Sequence, residues 1–374
     1  MKGAEALAEA AIRAGARFFA GYPITPQNEL PEYMSKMMPK HGGTFVQAES
    51  EVAAINMVYG AGATGAYAIT SSSSPGISLK SEGISNLAAA HVPAVIINVM
   101  RSGPGMGTIQ PAQTDYFQAS KASGHGGFRT ITLVPGTLQE AVDLTYKAFE
   151  LSQRDRNPVI VAPDGFIAAI MEPVNLPEFR EPAATPEWAV VGCGSRERNL
   201  LLNGGLNEEH QLSQNRKAEE MYKRWEREDV MVEEYLLDDA EYVIAAIGTS
   251  ARICRTVINE LREEGIKVGM IRPITISPFP YSSFEKLGDQ VKYVIDVEMS
   301  VPAQMILDVK VGVQGRIPIE EVTTAGGFIL KGSDVAKKIR ELAERSLKWR
   351  KYTASPRAST TLRSATAPAA CIRL

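Results

Sequence analysis

The fold is decided by residues 47–102, which read QAESEVAAINMVYGAGATGAYAITSSSSPGISLKSEGISNLAAAHVPAVIINVMRS. Residues 94–100 are almost entirely apolar and end at Arg101, which indicates a strand buried on both faces, as in a parallel sheet. A second apolar strand, at residues 66–70, leads into four serines followed by Pro75 and Gly76. Ligands bind at the loops that follow the carboxyl ends of such strands. The segment therefore predicts an α/β fold with a ligand mouth at the serine-rich loop and Arg101.

Two glutamates, Glu49 and Glu51, open the helical run that precedes the strand at residues 66–70. A glutamate in the first turn of a helix can simply complement the helix dipole, and this holds for both residues. Because the helix leads toward the mouth, Glu51 is also the candidate for a carboxylate that faces a ligand. Arg101 could be a partner in a salt bridge at the strand end, but a guanidinium at a sheet mouth also suits bidentate binding of a carboxylate.

The chain has 374 residues, too many for one ordinary core, and its composition suits two domains with connections. We predict a first domain at residues 1–172 and a proline-rich linker with a charged helix at residues 173–238. A second parallel α/β domain at residues 239–350 follows, where strands alternate with helices. A tail at residues 351–374, rich in Ser, Thr, Ala and Arg, is predicted to be disordered.

Three local predictions are specific enough to be checked against the structure. The strand at residues 158–162 is expected to close the first sheet. The charged helix is expected to span residues 216–235. Ser250 is expected to cap the helix that follows the first strand of the second domain.

Composition excludes several classes of function. A net charge of −3 gives no electrostatic reason to expect nucleic acid or an anionic membrane as a partner. No run of residues approaches the ~18 apolar residues of a membrane span. The first 23 residues have helical periodicity and acidic residues, unlike a signal peptide, so a cytoplasmic location is expected. The cysteines, Cys193, Cys254 and Cys371, are too dispersed to form a disulfide framework or a set of zinc or iron–sulfur ligands.

Two further motifs have ordinary explanations. Gly60, Gly62 and Gly65 match the dinucleotide fingerprint, but that motif follows a strand and opens a helix. Here the glycines end a helix, so a C-terminal glycine cap is preferred over a nicotinamide site. The four histidines are not spaced as metal ligands, and His125 in its glycine-rich loop is more typical of a solvated side chain than of a general base.

Taken together, these residues resemble a known family. Glu51, the strand after it and the loop TSSSSPG resemble the pyrimidine-binding domain of thiamine-diphosphate enzymes. The loop GYPITP at residues 21–26 and the strand that ends at Arg101 narrow the resemblance to the alpha subunit of the 2-oxoacid:ferredoxin oxidoreductases. The second domain, with Glu298, is similar to the transketolase C-terminal domain that such subunits carry. The resemblance covers residues 1–345. The chain departs from the pattern before Pro75, where the usual glycine is missing, and at Ala303, where a glycine is common.

The resemblance implies a role for four residues. Glu51 would hydrogen-bond the aminopyrimidine of thiamine diphosphate and act as the catalytic carboxylate, and Pro23 would border the same ring. Thr25 and Arg101 would hold the 2-oxoacid. The chain contains no metal-binding residues of this family, because the motif that binds diphosphate and magnesium is missing.

The family also implies partners and a reaction. A beta subunit would supply the diphosphate and Mg²⁺ half of the cofactor site and an iron–sulfur cluster, with gamma and ferredoxin-like delta subunits completing the complex. The reaction would be the CoA-dependent oxidative decarboxylation of a 2-oxoacid to acyl-CoA and CO₂, with electrons passed to ferredoxin. The loop GPGMGTIQP at residues 103–111 most resembles the 2-oxoisovalerate (branched-chain) branch. 2-Oxoglutarate, pyruvate or the role of a non-catalytic scaffold subunit remain as alternatives.

Overall fold

The computed structural model describes residues 1–121, 124–181, 184–204 and 207–353 of the chain. Two sheets, both mainly parallel and both covered by helices, make up this part. The tail predicted to be disordered falls beyond residue 353, outside the described residues, apart from its first three positions. No helix in the described ranges is both long and apolar enough to cross a bilayer.

The first sheet contains seven strands within the described residues. They are β1 (Phe18–Gly21), β2 (Thr44–Gln47), β3 (Ala68–Ser72), β4 (Val95–Asn98), β5 (Ile131–Leu133), β6 (Val159–Val161) and β10 (Thr275–Ser277). Their order is β10-β5-β6-β4-β3-β1-β2. All neighbours are parallel except β10, which pairs antiparallel with β5.

Helices cover both faces of this sheet, which explains the apolar sequence of β4. Val95 and Ile97 pack into the core on one face, and Ile96 packs into the core on the other. The first face carries α1 (Gly3–Arg13), α2 (Glu29–Met37), α6 (Leu138–Asp155) and α7 (Gly165–Ala169). The second face carries α3 (Glu51–Ala63), α4 (Pro75–Ala89) and α5 (Tyr116–Ser120).

The second sheet has the order β12-β11-β8-β9-β7. Its strands are β7 (Val232–Tyr235), β8 (Tyr242–Ala246), β9 (Val268–Pro273), β11 (Tyr293–Glu298) and β12 (Ile319–Thr323). The strand β7 is antiparallel to β9 and the other neighbours are parallel. The remaining helices are α8 (Glu208–Glu228), α9 (Gly248–Glu263), α10 (Tyr281–Glu285), α11 (Ile306–Val313) and α12 (Gly332–Thr353).

The structure corrects all three local predictions. The strand β6 lies inside the first sheet and not at its edge. The strand at that edge is β10, which comes from the second half of the chain. The charged helix α8 ends at Glu228, and the last residues assigned to it form β7 because they find a ladder partner in β9. Ser250 is not a cap: Gly248, at φ 50°, lets α9 begin earlier, and the Ser250 hydroxyl donates to Gln113 Oε1 at 2.9 Å.

A buried carboxylate joins the two halves of the chain. Asp164, which caps α7, accepts hydrogen bonds from the Thr249 backbone nitrogen at 2.8 Å and from the Thr249 hydroxyl at 2.7 Å. A Cβ at Gly248 would lie 2.7 Å from Asp164 Oδ2, so glycine allows this close approach. The first turn of α9 is thereby tied to the sheet edge that carries the candidate site.

Candidate functional site

The candidate site lies at the carboxyl ends of four neighbouring parallel strands, β4, β3, β1 and β2. The loop after β1 holds residues 22–26, the loop after β3 holds Ser73 and Ser74, and the chain after β4 reaches Arg101. The end of β2 leads into α3, which begins at Glu51. Because the strands are parallel, all four predicted site segments emerge at one edge of the sheet.

Glu51 is the first residue of α3, whose N-cap is Ser50, with its hydroxyl accepting from the Ala53 nitrogen at 3.1 Å. The Glu51 side chain is 6% exposed, and its carboxylate makes no hydrogen bond within the described residues. Gly76 lets the start of α4 approach it, since a Cβ there would lie 2.9 Å from Glu51 Oε1. Glu49, two residues earlier, is exposed. A nearly buried carboxylate with free acceptor capacity suits a ligand that donates a hydrogen bond.

The serine-rich loop offers further unused polar groups. The hydroxyls of Ser72 and Ser73 are buried and, in the described part of the chain, have no hydrogen-bond partner. The Ser71 hydroxyl, in contrast, donates to the buried side chain of Gln27 at 2.5 Å. Unpaired buried hydroxyls cost free energy, and a polar ligand that hydrogen-bonds them would remove that cost.

Lys80 lies beneath this loop and was missed by the sequence analysis. It is fully buried, and its ammonium donates to the Thr70 hydroxyl at 2.5 Å and to the Ser71 carbonyl at 2.9 Å. Burial lowers the pKa of Lys80 to about 7, and attraction to Glu51 opposes that shift. A signal was present in the sequence: Lys80 falls in the buried stripe of α4 with Ile77 and Ile84, at the spacing of core residues.

Arg101 is held at the mouth by its neighbours. Its Nη1 donates to the Thr25 carbonyl at 2.6 Å and its Nη2 donates to the Met106 carbonyl at 2.9 Å. The side chain is buried, and Nε has no partner among the described residues. The guanidinium therefore joins the loop after β1 to the glycine-rich loop and keeps one donor unused.

The structure brings Thr25 and Arg101 together, and it places Pro23 on the exposed part of the same loop. The Thr25 hydroxyl accepts from Asn28 Nδ2 at 3.4 Å. Residues 74–76 lie between Glu51 and Arg101. Gly76 packs against Glu51, and the Ser74 hydroxyl accepts a hydrogen bond from the Arg101 backbone nitrogen at 2.9 Å.

Asp115 is a second residue that the sequence analysis did not identify. It is buried beside Ser74 and accepts from the Ser74 hydroxyl at 2.5 Å and from Asn98 Nδ2 at 3.3 Å. Burial raises the pKa of Asp115 to about 6, against the opposing effects of these two hydrogen bonds and of the Arg101 charge. Nothing in the sequence marks it, because it lies in an irregular stretch far from Ser74 along the chain.

The motifs with ordinary explanations lie away from the mouth. Gly60 and Gly62 belong to the last turns of α3, and Gly65 follows at φ 83°, at the opposite end of β3. The side chain of His125 is exposed.

Two family descriptions match the chain. Residues 9–234 match "pyruvate flavodoxin/ferredoxin oxidoreductase, thiamine diphosphate-binding", and residues 240–335 match core domain II of pyruvate:ferredoxin oxidoreductases. These matches confirm the predicted fold class.

Curated relatives cover nearly the whole chain. The ketoisovalerate oxidoreductase subunit VorB of Methanothermobacter thermautotrophicus is 46% identical over 92% of this chain and 97% of its own. The 2-oxoglutarate synthase subunit KorA of the same organism is 31% identical over 91% of this chain and 98% of its own.

A solved structure shares the fold. The 2-oxoglutarate:ferredoxin oxidoreductase from Magnetococcus marinus, with 2-oxoglutarate, coenzyme A and succinyl-CoA bound, superposes with a TM-score of 0.77 at 24% identity. The match covers 91% of this chain and 64% of that one, so the chain spans somewhat less than two thirds of that polypeptide.

Proposed function

Because the chain belongs to the 2-oxoacid:ferredoxin oxidoreductase family, we propose that it binds the pyrimidine half of thiamine diphosphate and the carboxylate of a 2-oxoacid. The chain is a subunit of an enzyme that carries out thiamine-diphosphate-dependent decarboxylation. In this proposal Glu51 is the catalytic residue, Pro23 and Glu51 contact the cofactor, and Thr25 and Arg101 contact the substrate.

The observation that carries the proposal is the free carboxylate of Glu51. It is nearly buried at the mouth of the sheet and lies against Gly76 together with the Ser72 hydroxyl, which has no hydrogen-bond partner within the described residues. An aminopyrimidine presents both donors and acceptors, so the residues present fit that group. When bound, the cofactor supplies the electron sink that decarboxylation of a 2-oxoacid requires.

The residues of this chain would contribute through protons, charge and position. Glu51 would share a proton with the ring nitrogen N1′, and a positioned carboxylate of this kind contributes about 10²–10⁴-fold to rate. Arg101 would hold the substrate carboxylate with a charge-assisted hydrogen bond, worth roughly 1.5–3 kcal/mol. Its unused Nε donor supports this role. Pro23 would present an apolar ring surface to the cofactor.

We propose a branched-chain 2-oxoacid such as 2-oxoisovalerate as the substrate. Identity to the ketoisovalerate subunit is 46%, against 31% to the 2-oxoglutarate subunit. In the two loops that Arg101 joins, the side chains of Tyr22, Met106 and Ile109 are exposed, and those of Met106 and Ile109 are apolar. Such a rim suits an aliphatic tail, whereas 2-oxoglutarate would need a second cation for its second carboxylate. 2-Oxoglutarate and pyruvate are the alternatives that a substrate comparison would separate.

The proposal includes partner subunits. The names of the relatives, which are subunits, imply a multi-subunit enzyme. We propose a beta subunit that holds the diphosphate, Mg²⁺ and an iron–sulfur cluster, with gamma and ferredoxin-like delta subunits, ferredoxin and coenzyme A. Met106 and Phe328, 84% and 74% exposed, lie on adjoining loops of the mouth and support coverage of this edge by another chain. A cytoplasmic location belongs to the same proposal.

The test is Glu51→Gln in the complex purified with its natural partner subunits. We expect CoA-dependent reduction of a dye by 2-oxoisovalerate to fall at least about a hundredfold, because glutamine cannot share the ring proton. Glu49→Gln is the matched control, because that carboxylate is exposed two residues away. Near-normal turnover by an assembled Glu51→Gln complex would overturn the assignment and favour a scaffold role.

A further inference from the structure

Ser74 adopts a backbone conformation that is uncommon for a residue with a side chain. Its φ is 35° and its ψ is −89°, at the point where the serine-rich loop enters α4. A non-glycine residue persists in this region only where its surroundings hold it, and such residues concentrate at functional sites. The contacts of Ser74 therefore need an explanation.

Ser74 is held by three buried hydrogen bonds of 3.0 Å or less. Its hydroxyl donates to Asp115 Oδ2 at 2.5 Å and accepts from the Arg101 nitrogen at 2.9 Å. Its backbone nitrogen donates to Asn98 Oδ1 at 3.0 Å, and Asn98 in turn donates to Asp115. The strained residue thus connects the serine-rich loop, the end of β4 and the start of α5.

These contacts act on the backbone of Arg101. The Ser74 hydroxyl accepts from its nitrogen, while the hydroxyl of the neighbouring Thr114 donates to its carbonyl at 2.9 Å. The side chain is fixed separately by the carbonyls of Thr25 and Met106. Because the Ser74 hydroxyl has one hydrogen, which goes to Asp115, its lone pairs face the Arg101 nitrogen. Asp115 therefore orients the hydroxyl that orients Arg101.

We propose that Ser74 and Asp115 are a positioning pair that sets Arg101 for the carboxylate of the 2-oxoacid. This inference rests on the proposed function of Arg101. In this role the pair acts through the Arg101 backbone nitrogen. It determines the affinity for the substrate carboxylate rather than the rate of the chemical step.

The ionisation of Asp115 gives this role a pH dependence. As an anion Asp115 accepts from both Ser74 and Asn98, but when protonated it must donate a hydrogen and the Ser74 hydroxyl loses its fixed direction. Arg101 is the charged group that acts on Asp115 within the described residues, and it favours the anion. With a pKa of about 6, Asp115 titrates inside the working range of an assay, so substrate KM rises as the pH falls through 6.

The experiment compares Ser74→Ala, Ser74→Gly and Asp115→Asn in the assembled complex. We expect each to raise the KM for the 2-oxoacid about tenfold, the factor that corresponds to one hydrogen bond of about 1.4 kcal/mol. kcat and the affinity for thiamine diphosphate should stay within about twofold. Ser81→Ala, two turns further along α4, is the matched control, because its hydroxyl donates to the Ile77 carbonyl at 3.0 Å and not to Ser74, Asp115 or Arg101.

The pH profile separates positioning from mere structural support. In the wild-type complex KM should rise below pH 6, and in Asp115→Asn it should be raised but independent of pH over this range. A wild-type KM in Ser74→Ala and Asp115→Asn would overturn the inference. So would an equal loss of kcat and of cofactor affinity.

Arg101→Ala, assayed alongside, keeps the two proposals apart. If Arg101→Ala leaves KM unchanged, the proposed role of Arg101 fails, and this inference fails with it. If Arg101→Ala raises KM while the Ser74 and Asp115 variants do not, the positioning pair alone is refuted. Ser74→Gly, which tolerates the positive φ, keeps the test usable if Ser74→Ala does not assemble.

Discussion

Replacing Lys80 by methionine should change how the stability of the protein depends on pH. Methionine has a similar length and suits the apolar stripe of α4, but it carries no charge. The lysine is fully buried, and burial lowers its pKa from 10.5 to about 7. Below about pH 7 the folded and unfolded chains both hold this proton. Between about pH 7 and 10.5 the unfolded chain holds it and the folded chain does not, so the wild type becomes more stable relative to the variant as the pH rises.

The size of the effect follows from the shift. Each pKa unit corresponds to about 1.4 kcal/mol, so the full window is worth about 5 kcal/mol and the interval from pH 7 to 9 about 2.5 kcal/mol. The Glu51 charge raises the pKa of Lys80 and so opposes the effect of burial. Adding Glu51→Gln should therefore extend the pH range of the effect to lower pH.

The measurement is urea unfolding of the full chain at pH 7, 8 and 9 for the wild type and for Lys80→Met. The difference in the free energy of unfolding should grow by about 2.5 kcal/mol between pH 7 and pH 9 in favour of the wild type, with the larger part of the gain above pH 8. Lys286→Met, which removes an exposed ammonium, is the control for a general effect of charge. A difference that stays constant across the three pH values would refute the assignment of Lys80 as a buried amine that loses its proton near neutral pH.

Two other substitutions test the substrate and the domain junction. Arg101→Ala should raise the KM for the 2-oxoacid by at least about tenfold and leave thiamine diphosphate affinity nearly intact, because one charge-assisted bond is lost; equal losses in both titrations would make Arg101 structural. Asp164→Ala should lower the free energy of unfolding by about 3 kcal/mol, because two buried donors of Thr249 lose their acceptor. Urea unfolding measures this loss against the exposed-site control Asp143→Ala. Equal stabilities of the two variants would contradict the role of Asp164 in joining the two halves of the chain.

Much of the first sheet could be predicted from the sequence because the patterns that indicate it lie within short stretches of the chain. The apolar run at β4, the serine-rich loop and the placement of Glu51 before a strand predict the edge of the sheet at which we propose that the ligands bind. Arg101 follows from the same rule, Thr25 follows from the family resemblance, and the structure brings these two together.

What could not be predicted depends on contacts between distant parts of the chain. Residues 229–235 continue the charge pattern of α8, and only the neighbouring strand β9 turns part of them into β7. Ser250 has the chemistry of a cap, but its hydroxyl is bonded to Gln113. The strand β10 is three residues long, and its place beside β5 is set by tertiary packing.

The position of β10 has a consequence for how the polypeptide is made. Synthesis runs from the amino terminus, so residues 1–172 leave the ribosome with the outer side of β5 still lacking its neighbour, and about a hundred more residues must emerge before Thr275–Ser277 can dock there. Until then the unpaired edge of β5 is exposed, and an unpaired strand edge is a surface on which incomplete chains aggregate. The first half of the molecule therefore reaches its finished form only after much of the second has been translated.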